Sequence, residues 1–202
     1  MPRLLLVALF ALAACRVEES VEAPPRPPAP ATDTVAVEPE TPPAPVEQAV
    51  MPLVALDADG LRLVDPESGR TRPIAFGDSM ETVVDQIVAL RGPAERSRNE
   101  ECGAGPLDFA SWPDGLRLAF QDGLFAGWAV HGRQPGVEVF TTLAGLGVRS
   151  PRSVLDSAYV ATVEETSLGT EFAAAGLYGI LDSDRPDARV EAMWAGVSCN
   201  FR

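Results

Sequence analysis

Leu116-Arg117-Leu118-Ala119-Phe120-Gln121-Asp122-Gly123-Leu124-Phe125-Ala126-Gly127-Trp128-Ala129-Val130 is the stretch on which the fold turns. Leu116, Leu118 and Phe120 alternate with Arg117, Ala119 and Gln121. That period of two places apolar side chains on one face of a strand. Asp122-Gly123 accepts positive φ and joins this strand to the next, 124–130, as a tight hairpin. Pro113-Asp114-Gly115 makes an earlier turn, and 107–112 reads as the strand before it. The three strands form an antiparallel meander.

A meander with one apolar face needs a cover, and the upstream residues supply it. Ser79 has the character of an N-cap, with Glu81 in the first turn. Met80, Val83, Val84, Ile87 and Val88 recur at helical spacing, with Leu90 close behind. Gly92-Pro93 stops the helix. Further upstream, 53–56 and 61–64 flank Asp57-Ala58-Asp59-Gly60 and read as a short hairpin, followed by a turn at Pro66-Glu67-Ser68-Gly69.

Downstream the pattern returns. Ser150-Pro151 supplies an N-cap and a proline at the first helical position. Val154, Leu155, Ala158 and Tyr159 form one apolar face. Strands are expected near 160–164, 171–173, 177–181 and 189–194. The run Phe172-Ala173-Ala174-Ala175-Gly176-Leu177-Tyr178-Gly179 echoes Phe120-Gln121-Asp122-Gly123-Leu124-Phe125-Ala126-Gly127. The expectation is an α+β fold: a helix plus an antiparallel β-meander, repeated twice in tandem. The globular domain is placed at 53–202, with halves at 53–135 and 136–202.

The residues before the domain read differently. Arg3 precedes an uninterrupted apolar run of eleven residues, 4–14, ending in Leu12-Ala13-Ala14-Cys15. Eleven residues cannot span a bilayer as a helix, which needs about 20, but they suit the core of a secretory signal. The Leu-Ala-Ala-Cys ending resembles the lipobox of bacterial lipoproteins. That resemblance implies a signal peptide at 1–14, cleavage before Cys15 and lipidation of Cys15. Arg16 is not the aspartate associated with inner-membrane retention, so the resemblance favours the outer membrane. Residues 15–52 then form a tether. Ten of the 37 residues in 16–52 are proline, with seven acids against two arginines. Such a stretch cannot pack a core and favours extended polyproline-II conformations.

Composition narrows the chemistry. The chain has net charge −13 and contains arginine but no lysine. An acidic chain is a poor nucleic-acid binder, because phosphate affinity comes largely from basic residues. Absence of lysine excludes Schiff-base and P-loop chemistry. With Cys15 assigned to lipid, Cys102 and Cys199 remain, and two cysteines in an exported domain most often pair. Closing a loop of about 100 residues would contribute about 4–5 kcal/mol on a chain-entropy account. A reactive thiol or a metal ligand is the alternative. One histidine and no close Cys/His cluster argue against a metal.

Catalytic motifs are sparse. A triad would have to use His131, with Ser111, Ser198 or Cys102 as nucleophile, yet none sits in a Gly-x-Ser-x-Gly elbow. Glu100-Glu101 and Glu164-Glu165 are adjacent on strands and point to opposite faces. Asp182-Ser183-Asp184 with Asp187 begins like a calcium loop but lacks its glycine and distal glutamate. Gly103-Ala104-Gly105 has no flanking strand and helix to make a phosphate cradle. The aromatics are stronger candidates. If one helix covers one face of the meander, a tryptophan on the other face, Trp112 or Trp128, is positioned to bind a partner.

The helix start Gly77-x-Ser79-x-x-x-Val83 and the stop Leu90-x-Gly92-Pro93, followed by a meander, resemble the small repeat of two groups. One is the secreted β-lactamase inhibitor proteins; the other is the small lipoprotein of the outer-membrane β-barrel assembly machine. The resemblance covers 74–130 and, more weakly, 147–194. It implies a non-enzymatic binding fold and carries over no partner and no binding residue. Residues 101–106 and 194–202 also resemble a family of proteobacterial envelope proteins, which implies no activity. The expected function is therefore a membrane-anchored periplasmic lipoprotein whose domain binds an envelope protein or supports envelope assembly, without a cofactor. An inhibitor or regulator of a periplasmic enzyme is the second expectation. A cell-wall enzyme using carboxylates is the third.

Overall fold

The computed structural model describes residues 50–132 and 140–199. The expected signal peptide, the expected lipidation residue Cys15, the expected tether up to residue 49 and the boundary between the expected halves lie outside the described residues. No helix among the described residues is long and apolar enough to cross a membrane.

Strands β1 (Leu53–Asp57) and β2 (Gly60–Val64) form the expected hairpin, with Leu56 opposite Leu61. Gly60 sits at φ +144°, and a Cβ there would lie 2.1 Å from the Ile74 carbonyl oxygen, so only glycine fits. A third strand, β3 (Thr71–Ala75), pairs with β2. The sequence hides it, because only Ile74 is buried and Pro73 interrupts the run. Proline is tolerated there because β3 is an edge.

Helix α1 (Met80–Arg91) begins where expected: the Thr82 N–H donates to Ser79 Oγ at 3.3 Å. Val83, Val84 and Ile87 are buried, and Gly92 at φ +80° ends the helix with its N–H on the Val88 carbonyl. The large sheet follows: β4 (Glu95–Asn99), β5 (Leu107–Ser111), β6 (Leu116–Gln121) and β7 (Leu124–His131). After α2 (Arg152–Ala158) come β8 (Thr162–Thr166), β9 (Gly169–Ala174), β10 (Leu177–Leu181) and β11 (Val190–Gly196). The strand order is β4-β5-β6-β7-β11-β10-β9-β8, antiparallel throughout. Each helix thus precedes a four-stranded meander, and the meanders meet last strand to last strand.

The α+β expectation needs adjustment. The described residues are mostly β, with two short helices and antiparallel sheets of three and eight strands. The first meander has four strands rather than three. The additional one, Glu95-Arg96-Ser97-Arg98-Asn99, has no apolar residue to give it a period. Its charges suit a sheet edge, where they discourage pairing with another chain. The α2 start also differs. Pro151 is the N-cap without a side-chain bond, and Ser150 Oγ instead accepts the Gly147 N–H at 3.0 Å.

One core unites these elements. Leu56, Leu61 and Ile74 of the small sheet, Val83, Val84 and Ile87 of α1, and Leu155 of α2 join one face of the large sheet. That face presents Leu116, Leu118, Phe120, Phe125, Trp128 and Val130 from the first meander, and Phe172, Leu177, Leu181 and Met193 from the second. A bulge between Ala119 and Phe120 shifts the register, so Phe125 and Trp128 both face the core. Hydrogen bonds pin the α1 entry to this hairpin: Gly77 N–H to the Phe125 carbonyl and Met80 N–H to that of Gly123.

Candidate functional site

The helices and the small sheet cover the middle of the large sheet's core face, and the opposite face is where the two halves diverge. In the first half, Leu107 and Phe109 of β5, Ala119 of β6 and Cys102 form a second, smaller cluster. Val197 and Cys199 pack over it. Val197 N–H donates to the Ala126 carbonyl at 2.8 Å. Gly127 makes this approach possible, since a Cβ there would lie 2.1 Å from the Val197 carbonyl oxygen. Arg117 lies over the Phe109 ring at 5.3 Å and donates to Ser111 Oγ. The cavity left under this cover, about 50 Å³, is lined by Arg117, His131, Ser198 and Cys199. It admits a few waters rather than a substrate.

In the second half the same face is open. The register aligns Thr162 with Ala173, Glu164 with Glu171, and Tyr178 with Trp194. These residues share one side, because the core takes Phe172, Leu177 and Met193 from the alternate positions. Tyr178 is 40% exposed and stacks on the buried Trp194, with ring centroids 6.4 Å apart. Beside the pair runs a groove of about 300 Å³ lined by Thr162, Glu164, Thr166, Glu171, Ala173 and Tyr178. That is the small end of the range for ligand sites. Glu164 and Glu171 stand directly opposite on neighbouring strands, an arrangement that does not favour the sheet itself.

The expected partner-binding tryptophans sit elsewhere. Trp128 is 1% exposed and donates its indole N–H to the Asp57 carbonyl at 2.8 Å. Trp112 is also buried and donates to the Gly92 carbonyl at 2.9 Å. Both rings are buried, and both tie the large sheet to its covering layer. The small sheet takes up Trp128, a cover that a one-helix reading of the meander does not contain.

The two remaining candidate cysteines, Cys102 and Cys199, are close neighbours with separate thiols. Cys199 Sγ accepts from Asn99 Nδ2 at 3.4 Å and from the Gly103 N–H, and is hydrogen-bonded to Cys102. Burial, then the Cys102 contact, pushes the Cys199 thiol up to about 11. It therefore stays protonated at neutral pH and is a poor nucleophile.

Other candidates are occupied by structure. Glu165 accepts from Thr170 Oγ1 on the core side while Glu164 faces the groove. Asp182 Oδ1 accepts the Arg189 N–H at 2.9 Å and closes its turn. Arg185 pairs with Asp187 at 3.0 Å. The Gly103–Gly105 turn is held by Gln121 Nε2 on the Ala104 carbonyl. Among the described residues, no group of three His, Cys, Asp or Glu side chains is placed to hold a metal ion.

Of these residues, Glu164 is a carboxylate candidate in the sequence and Tyr178 and Trp194 are strand aromatics there; Glu171 is not singled out, and only the strand register brings the four together. A signal was present: Tyr178 and Ile180 alternate with Leu177 and Leu181, so that strand is apolar on both faces. No protein-family model, curated protein or solved structure matches the chain.

Proposed function

We propose that the chain is a membrane-anchored envelope lipoprotein, lipidated at Cys15 and tethered through 16–52. On this reading, its two helix-plus-meander halves are tandem repeats that share one sheet. The domain is non-catalytic, and the open face of the second half binds an envelope protein. The observation that carries the reading is the Tyr178–Trp194 stack beside the open groove. A half-exposed aromatic braced by a second ring presents rigid contact area at little entropic cost, as interface hot spots do. Glu164 at the groove and the net charge of −13 favour a partner with a basic patch.

The test places a photo-activatable side chain at position 178 and, separately, at the exposed Glu81 of α1, in intact cells. The expected result is an adduct with an envelope protein from position 178 only. Equal adducts from both positions, or none, would overturn the reading. An adduct with a single soluble hydrolase, whose turnover falls when the domain is added, would replace it with the inhibitor reading. The anchor is checked separately: Cys15→Ala is expected to move the chain from the membrane fraction to the soluble one.

A further inference from the structure

The thiol pair supports a conclusion that needs no partner. Cys102 opens a turn that is anchored twice, by the Gly105 N–H on the Cys102 carbonyl and by Gln121 on Ala104. Cys199 lies in the segment that crosses the outer face after β11. Its sulfur is already held by Asn99, Gly103 and Cys102. The crossing starts at the Val197–Ala126 bond and packs against Gly127, Phe109 and Ala119. A covalent tie at Cys199 would fix the segment at its far end.

We infer that Cys102 and Cys199 form a disulfide that straps residues 197–199 across the first meander and locks the cover that already lies there. Cys199 is the less buried of the two and meets the oxidant first. Its deprotonated sulfur attacks one sulfur of a small disulfide such as oxidised glutathione and expels one glutathione thiol. Cys102 then displaces the second glutathione from the mixed disulfide. Two protein thiols become one disulfide, one glutathione disulfide becomes two thiols, and both protons pass to the leaving thiols. The high affinity of the Cys199 sulfur for its proton makes the first step faster at alkaline pH.

The test uses the full chain carrying Cys15→Ala, oxidised with glutathione disulfide at about pH 8.5. It is then denatured, alkylated without reductant and digested. The expected result is a cross-linked peptide pair joining Cys102 to Cys199, with no alkylated thiol. Two alkylated thiols would overturn the disulfide. Hydrogen exchange at the Val197 amide tests the strap. It is expected to slow at least roughly tenfold on oxidation, the order expected when a local opening is suppressed. A cross-link that leaves Val197 exchange unchanged would overturn the strap while keeping the bond. Comparing oxidised with reduced forms of one chain avoids dependence on a variant that fails to fold.

Discussion

On the core side the two meanders are built alike, with large apolar residues from alternate positions meeting a helix. On the other side they part. The first presents Leu107, Phe109, Ala119 and Gly127, and the chain folds back at 197–199 to cover them. The second presents Thr162, Glu164, Ala173 and Tyr178 around a groove that nothing among the described residues fills. One architecture therefore yields a sealed face and an open one. What separates them is a short segment and a glycine that lets it approach. The open face carries a stacked aromatic and the exposed Glu164, features that packing alone does not need.

The difference can be broken by substitution. Phe109→Ala should cost about 3 kcal/mol in denaturant unfolding, as for a buried ring. Tyr178→Ala should cost about 1 kcal/mol, roughly the value of one aromatic contact. Equal losses would mean that both faces are core. Gly127→Ala should cost about 1–3 kcal/mol, because its methyl displaces the Val197 carbonyl. Ala173→Ser, at the open face, should stay within about 0.5 kcal/mol. Alkaline titration gives a smaller effect, confined to the sealed half. Cys199 holds its proton more tightly folded than unfolded, so its contribution to stability is full below about pH 9. It declines as pH rises towards about 11. Unfolding midpoints of the reduced chain should show that decline, and Cys199→Ser should lack it. Smallest of all, Glu164→Gln should raise stability by about 0.2–0.5 kcal/mol through relief of the Glu164–Glu171 opposition. A loss of stability instead would make that pair structural.

Much of this fold was legible because its central elements obey simple periods. Leu116, Leu118 and Phe120 announced a strand, and Ser79 with Gly92-Pro93 bracketed a helix almost to the residue. Strands β3 and β4 were not legible, since edge strands borrow their hydrogen bonds from a neighbour and need no apolar alternation. The outer face was harder still. Whether a tryptophan lies in core or on surface depends on what covers it, and the small sheet over Trp128 is remote in sequence. Tyr178 and Trp194 become a pair only through the β10–β11 register.

The seam between the meanders has a consequence for how the chain is made. Every other pairing in the large sheet joins neighbours in sequence, but β7 pairs with β11 across about 60–70 residues. As the polypeptide emerges, α1 through β7 can assemble from local contacts alone. Until the final strand arrives, β7 lacks its partner along the β11 side. An unpaired apolar edge invites pairing with other chains. The nascent chain is therefore most vulnerable to aggregation late, when it is nearly complete, and a truncation just before Val190 should aggregate where one just before Met80 should not.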